Sequence, residues 1–128
     1  MKRLIIALLG TVALGAPAMA DPALGVWQTQ PDDGRYAHID MAQCGETICG
    51  KIARTFDDTG EIASPNTGKV LVMDMVAKGD GSYEGRVWRP SNDKIYIGKM
   101  QVDGDTLALR GCVAGGLICS KQTWQRVR

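Results

Sequence analysis

The feature that most constrains this chain is the placement of its four cysteines, which fall in two short pairs. Cys44 and Cys49 flank Gly-Glu-Thr-Ile, and Cys112 and Cys119 flank Val-Ala-Gly-Gly-Leu-Ile. Each pair brackets a predicted hairpin turn, where facing residues of adjacent strands lie about 5.5 Å apart, within reach of a disulfide. We therefore expect two local disulfides, Cys44–Cys49 and Cys112–Cys119. The alternative is a pairing that joins one turn to the other.

Other uses of the four thiols fit the sequence less well. A zinc site of four thiolates and a redox-active dithiol both favour Cys-x-x-Cys, which is missing here. Paired cysteines in a small chain are instead typical of proteins that fold in an oxidising compartment. We therefore interpret the sulfur as architectural rather than reactive.

The first 20 residues have the pattern of an export signal. Lys2 and Arg3 open the chain, an apolar stretch covers residues 4–14, and Ala18-Met19-Ala20 provides small residues for cleavage. The stretch is too short to span a bilayer, which takes about 20 residues. A buried N-terminal helix is the alternative. We predict cleavage between Ala20 and Asp21 and delivery of residues 21–128 to the periplasm of a Gram-negative bacterium.

The charge of the predicted mature chain excludes one class of partner. Without Lys2 and Arg3, 13 of the 15 Lys and Arg residues remain, against 14 Asp and Glu residues. The two signs are mixed along the sequence and no run is strongly basic, so nucleic-acid binding lacks its electrostatic basis. Nor is there a second apolar segment long enough to cross a membrane. Residues 21–128 have the length of one domain.

The remaining pattern is strands separated by turns. Glycine and aspartate recur every 8–12 residues, the spacing of an antiparallel barrel or sandwich, and Asp80-Gly81 and Asp103-Gly104 are hairpin signals. The longest gap, residues 56–68, is expected to be a surface loop or to hold one short helical turn. The predicted strands are 24–29, 35–43, 47–55, 69–77, 82–88, 94–102, 105–112 and 117–127. Eight strands in an up-and-down order avoid exposed edges by closing into a small all-β antiparallel barrel.

Residues that could carry catalysis are scarce. His38 is the only histidine, and it lies on an alternating strand where a surface position is the ordinary outcome. Asp57, Asp58 and Glu61 lack the residue order of a calcium-binding loop. We therefore expect no catalytic residues, no metal and no cofactor.

Aromatic and sulfur-containing residues are the better candidates for a binding site. Methionine side chains are flexible and polarisable, which suits a tolerant apolar pocket, and tyrosines would add polar groups to it. Trp88, beside Arg89-Pro90, is predicted at the rim of the barrel. Simple filling of the core is the alternative for this set. The candidate ligand-binding residues are Met73, Met75, Tyr83, Trp88, Tyr96 and Met100.

Several stretches together resemble a known family. They are residues 25–29 (Gly-Val-Trp-Gln-Thr), 44–52 around the first cysteine pair, 94–96 (Lys-Ile-Tyr), and 110–112 with 123–127 at the end of the chain. In this combination they are similar to a bacterial envelope family defined as domain of unknown function 2147. The resemblance extends over nearly all of residues 21–128. It implies a secreted small β-barrel and no established activity.

A second likeness is to the lipocalins. That group carries Gly-x-Trp on the first strand and an arginine on the last strand that packs over the tryptophan; Gly25-Val26-Trp27 and Arg126 are suitably placed. A guanidinium within about 6 Å of an indole ring contributes about 0.5–2 kcal/mol. The likeness therefore implies a structural contact between Trp27 and Arg126.

Taken together, these patterns predict an exported, non-enzymatic periplasmic barrel that binds a small apolar or amphipathic ligand or an envelope component. The alternative is an envelope scaffold or protein-interaction module whose barrel is filled by its own side chains. The volume of the interior distinguishes the two hypotheses, because a packed barrel leaves no room for a ligand.

Overall fold

The computed structural model describes residues 21–128, so the predicted signal peptide and its last residue, Ala20, lie outside the described residues. Antiparallel strands form one sheet that closes on itself. The strands are β1 (Gly25–Gln28), β2 (Tyr36–Cys44), β3 (Thr47–Asp57), β4 (Gly60–Ile62), β5 (Val70–Gly79), β6 (Ser82–Arg89), β7 (Lys94–Asp103), β8 (Thr106–Val113) and β9 (Ile118–Arg126). A short 3-10 turn, Ala114–Gly116, joins β8 to β9.

Closure of the sheet confirms the predicted fold class. Neighbours in sequence pair except for β4 and β5. Because β1 pairs with both β2 and β9, and β3 pairs with β5, all strands except β4 form a closed eight-stranded ring. Each predicted strand corresponds to one strand of this ring. Alternate residues of β2 point inward, and Ile39 and Met41 are buried as that alternation requires.

The segment 56–68 differs in its first half from its prediction as a surface loop or helical turn, while residues 63–68 form a loop with turns. β3 continues to Asp57, and the chain turns back at once into β4, which pairs only with β3. The Asp57 carboxylate accepts hydrogen bonds from the backbone N–H of Thr59, at 2.8 Å, and from its hydroxyl, at 2.5 Å. These bonds hold the chain in a tight Asx-type turn. The result is a small extra hairpin at one end of the barrel.

The opposite end of the barrel is sealed by the tryptophan and arginine that the lipocalin likeness singles out. Trp27 is fully buried, and the guanidinium carbon of Arg126 lies 4.3 Å from the centroid of its ring. The same guanidinium donates hydrogen bonds to the carbonyls of Leu24, at 2.9 Å, and Pro22, at 2.6 Å. Arg126 therefore ties the segment before β1 across the closed end.

The predicted local disulfides are present and lie at opposite ends of the barrel. Cys44–Cys49 joins β2 to β3 at the closed end, with 5.8 Å between the Cα atoms. Cys112–Cys119 joins β8 to β9 at the open end, with 4.1 Å between the Cα atoms. Among residues 21–128 no cysteine is free. Each disulfide therefore fastens a hairpin, as the sequence predicts.

The core fills the half of the barrel nearer the closed end. On β5 an extra residue interrupts the alternation, with Asp74 at φ 56°, so that Val72 and Met75 both reach the interior. The Met75 side chain packs against Gly98, where an added Cβ would lie 2.7 Å from its terminal carbon. This close packing leaves space only toward the other end.

Within residues 21–128, no helix is long and apolar enough to cross a membrane.

Candidate functional site

The open end of the barrel holds a cavity of about 670 Å³. Its rim is lined by residues of the connections that join β1 to β2, β4 to β5 and β6 to β7. Most strands of the barrel contribute to its wall. The lining residues are Thr29, Gln30, Pro31, Asp32, Asp33, Arg35, Tyr36, Ala37, Ile52, Thr55, Ser64, Asn66, Leu71, Val87, Trp88, Arg89, Pro90, Ser91, Tyr96, Leu109, Gly111, Ser120, Lys121, Gln122 and Trp124.

The floor of the cavity is apolar. Its buried members come from five different strands that face one another across the ring: Ile52, Leu71, Val87, Leu109 and Trp124. The indole N–H of Trp124 donates to the Gln122 side-chain carbonyl at 2.5 Å, so the buried ring leaves no unpaired donor. The floor therefore offers an apolar surface to any molecule that enters.

One polar group interrupts the floor. The pairing of β2 with β3 skips Ala53, and this bulge turns Thr55 inward after Ile52. Thr55 is only 9% exposed and lines the cavity. Among the hydrogen bonds between residues 21–128, none involves its hydroxyl. A buried hydroxyl without a partner costs about 1–3 kcal/mol, so this position is ready to bond a polar group that enters the cavity.

Opposite charges hold the rim together. Arg89, at the end of β6, donates from Nε and Nη2 to the two carboxylate oxygens of Asp32, each at 2.8 Å. Ser91 donates to the same carboxylate at 3.2 Å. The hydrogen bond from Arg89 lowers the pKa of Asp32, and that carboxylate in turn raises the pKa of Arg89. The pair joins the β1–β2 connection to the β6–β7 turn across the mouth.

Two of the predicted ligand-binding residues lie beside this pair. Trp88 donates its indole N–H to Asp93 at 2.8 Å, and the Lys69 ammonium lies 5.6 Å from its ring centroid. The Tyr96 hydroxyl accepts a hydrogen bond from the Asn92 amide at 2.8 Å. Both aromatic side chains are half-buried and line the cavity.

The other four predicted ligand-binding residues lie outside the cavity lining. Met75, Tyr83 and Met100 are buried in the packed half of the barrel, and Met73 is half-buried on β5. Tyr83 and Met100 face each other across β6 and β7. The Tyr83 hydroxyl donates to the carboxylate of Asp21, and burial together with this bond raises the pKa of Tyr83.

His38 is not part of the cavity lining. Its imidazole lies 4.6 Å from the ring of Phe56, and Nε2 is 3.1 Å from the side-chain carbonyl oxygen of Gln28. Burial, with nearby Arg54 and Arg128, lowers the pKa of His38. Within residues 21–128, no group of three or more His, Cys, Asp or Glu side chains is placed to hold a metal ion.

Four features of the cavity lining were not among the residues predicted from the sequence: Thr55, Gly111, Trp124 and the Asp32–Arg89 pair. In the sequence, Asp32-Asp33-Gly34 is a turn signal and nothing more, and a turn is what the backbone forms there. Thr55 could have been predicted, because a threonine inside an alternating apolar strand indicates a buried hydroxyl. The rim pair joins residues 57 positions apart and has no local signal.

The fold and its open cavity define the class of this protein, a small lipocalin-like barrel. Its backbone is similar to a Helicobacter pylori protein, HP1028, described as belonging to the lipocalin family, with a TM-score of 0.68, 17% identity and 82% of each chain covered. The chain belongs to the bacterial family described as "Uncharacterized protein conserved in bacteria (DUF2147)", whose model matches residues 25–126. A comparison with the curated proteins returned no match.

Proposed function

We propose that this protein is an exported, non-enzymatic barrel of the periplasm that binds a small amphipathic molecule or envelope component in the open half of its barrel. The observation that carries the proposal is a cavity with a buried apolar floor whose lining includes Thr55, a buried residue whose hydroxyl has no hydrogen-bond partner among residues 21–128. A ligand with an apolar body and at least one hydrogen-bonding group matches both features. The volume of about 670 Å³ falls in the range of about 300–1,000 Å³ typical of small-molecule sites.

The chemistry around the cavity supports binding rather than catalysis. The Asp32 carboxylate is occupied by Arg89, and His38 lies against Phe56, outside the lining. An activated nucleophile needs a base within hydrogen-bond reach, and His38 is not placed to serve one inside this cavity.

Export to the periplasm is supported by two independent features. The disulfides Cys44–Cys49 and Cys112–Cys119 form and persist in oxidising compartments. The pattern of residues 1–20 is that of a cleaved signal peptide, and Asp21, the predicted new first residue, is anchored to Tyr83 in the barrel.

Fluorescence titration with N-phenyl-1-naphthylamine tests binding in the cavity. Gly111 lines the cavity, and a Cβ added there would lie 3.6 Å from Tyr96 and 3.8 Å from Val87, which are ordinary van der Waals distances, so Gly111→Leu fills the space without straining the backbone. Ala108→Leu adds a similar side chain to the outer face of the same strand and serves as the matched control. We expect Gly111→Leu to weaken probe binding at least tenfold and Ala108→Leu to leave it unchanged. Equal binding by the three proteins would contradict the proposal.

The alternative function, a scaffold with a filled barrel, makes the opposite prediction. It requires that the probe fail to bind the wild-type protein and that Gly111→Leu leave its interactions untouched. The open volume at this end of the barrel favours the binding function.

A further inference from the structure

The strands β7, β8 and β9 carry a row of three cations outside any ion pair of residues 21–128, and only Lys121 of the three also borders the proposed cavity. Lys99, Arg110 and Lys121 lie directly opposite one another on β7, β8 and β9. Glu84 lies opposite Lys99 on β6, the one acidic residue in this row. Like charges directly opposite each other destabilise a sheet, so this arrangement opposes folding.

Exposed apolar side chains lie at the tip of the hairpin that β8 and β9 form. Leu117 is 88% exposed, Ile118 64% and Val113 47%. They surround the turn fastened by the Cys112–Cys119 disulfide, which holds them at the surface. Exposed apolar side chains that cluster in this way mark a surface that contacts another molecule or a membrane.

The basic row meets the apolar tip at Lys99, while alternation along β8 and β9 directs Arg110 and Lys121 to the face opposite Val113 and Ile118. The 3-10 turn folds back over the disulfide, and the Cys119 sulfur lies 3.5 Å from the carbonyl oxygen of Gly116. The Lys99 ammonium reaches this turn, 3.1 Å from where a Cβ of Gly116 would be. Three residues of strand separate Arg110 from Val113, roughly 10 Å. We call Lys99, Arg110, Lys121, Val113, Leu117 and Ile118 the tip patch.

We propose that the tip patch docks the barrel onto a membrane surface rich in anionic phospholipids. Charge complementarity selects this occupant: the cations meet phosphate headgroups while the tip enters the boundary between headgroups and acyl chains. Peripheral proteins bury apolar residues about 5–10 Å into that boundary, which matches the spacing between the tip and the basic row. The cavity opens at the same end, so a docked barrel presents its mouth to the lipid.

Vesicle sedimentation of residues 21–128, which include every strand of the barrel, tests the proposal. The vesicles are phosphatidylglycerol and phosphatidylcholine at equal amounts, or phosphatidylcholine alone. We expect binding to the anionic vesicles that weakens with salt and is at least tenfold weaker on the neutral ones. Each cation near an anionic surface changes the partition coefficient about fivefold, so Lys99→Gln/Lys121→Gln should weaken binding about 30-fold.

The matched control, Lys51→Gln/Lys78→Gln, removes the same charge from exposed lysines on β3 and β5. Leu117→Ser tests the apolar contribution separately and should also weaken binding, because it removes the most exposed apolar side chain of the tip. Equal effects of the two lysine pairs, or equal binding to both vesicle types, would overturn the proposal. So would a dimer in lipid-free solution that Leu117→Ser dissociates, since the patch would then be an interface between copies. None of these outcomes depends on a ligand in the cavity.

Discussion

Arg126→Ala tests whether the closed end of the barrel depends on the arginine that covers Trp27. Arg126 donates to the carbonyls of Pro22, Leu24 and Gly104, at 2.6, 2.9 and 3.2 Å, as well as stacking on the indole. The alanine variant loses all these contacts and leaves the acceptors without their donor. The segment before β1 would then be held to the barrel mainly by the Tyr83–Asp21 hydrogen bond and by the indole N–H of Trp27, which donates to the Ala23 carbonyl at 2.9 Å.

The expected loss follows from these contacts. A hydrogen bond from a charged donor contributes about 1.5–3 kcal/mol when buried, and the cation–π contact about 0.5–2 kcal/mol. The Arg126 side chain is 24% exposed, which lowers these values, and its partner Asp105 is 86% exposed, so that ion pair adds little. We therefore expect a loss of about 3 kcal/mol out of a total of roughly 5–15 kcal/mol.

Urea unfolding followed by tryptophan fluorescence measures this loss. With a slope of about 2 kcal/mol per molar, the midpoint should fall by about 1.5 M. Arg126→Lys keeps the charge but not the planar fork of donors, so it should recover less than half of the stability. Arg110→Ala is the control and should not lower the stability, because it removes an exposed cation that lies between Lys99 and Lys121 and is outside any ion pair of residues 21–128. A loss below about 1 kcal/mol in Arg126→Ala would refute the reasoning.

Three further predictions concern the cavity, the histidine and the disulfides. Thr55→Val should raise the free energy of unfolding of the ligand-free protein by about 1 kcal/mol, because it removes a buried hydroxyl without a partner. The same change should weaken the binding of probes that carry a hydrogen-bonding group. Thermal unfolding measures the first effect and fluorescence titration the second. The pKa of His38 is lowered from 6.5 in the folded protein, so the unfolded chain binds the proton more readily. Stability should therefore fall as the pH drops below 6.5. In His38→Gln, the urea midpoint plotted against pH should be flatter in this range. Replacing Cys44 and Cys49 together by Ser should cost about 2 kcal/mol, and replacing Cys112 and Cys119 about 2.5 kcal/mol, measured by urea unfolding.

The barrel was predictable because its determinants are local. Asp80-Gly81 and Asp103-Gly104 form turns by their own backbone preferences, and alternation along β2 assigns Ile39 inward without any knowledge of its partners. The cysteine pairs were predictable for the same reason, since each spans a single turn. Strand β4 was missed because three residues are too few to show alternation, although Asp57 and Thr59 carry the turn signal.

The site depends on contacts that sequence spacing does not contain. On β5 the bulge at Asp74 changes which side chains face inward, so alternation alone could not separate Met73 from Met75. Met75 and Met100 fill the barrel because they lie toward its closed end, and depth along the barrel axis depends on the stagger between all strands. Thr55 reaches the cavity only because another bulge precedes it.

Native mass spectrometry of the protein isolated from the periplasm of its own bacterium, without detergent, tests whether the open half of the barrel holds a small molecule. We expect the mass of residues 21–128 with both disulfides formed, plus a non-covalent small molecule that is lost on collisional activation. Gly111→Leu protein isolated in the same way should lack that molecule, and Ala108→Leu protein should retain it. Wild-type protein that carries no small molecule, or an adduct that Gly111→Leu retains in full, would contradict the account.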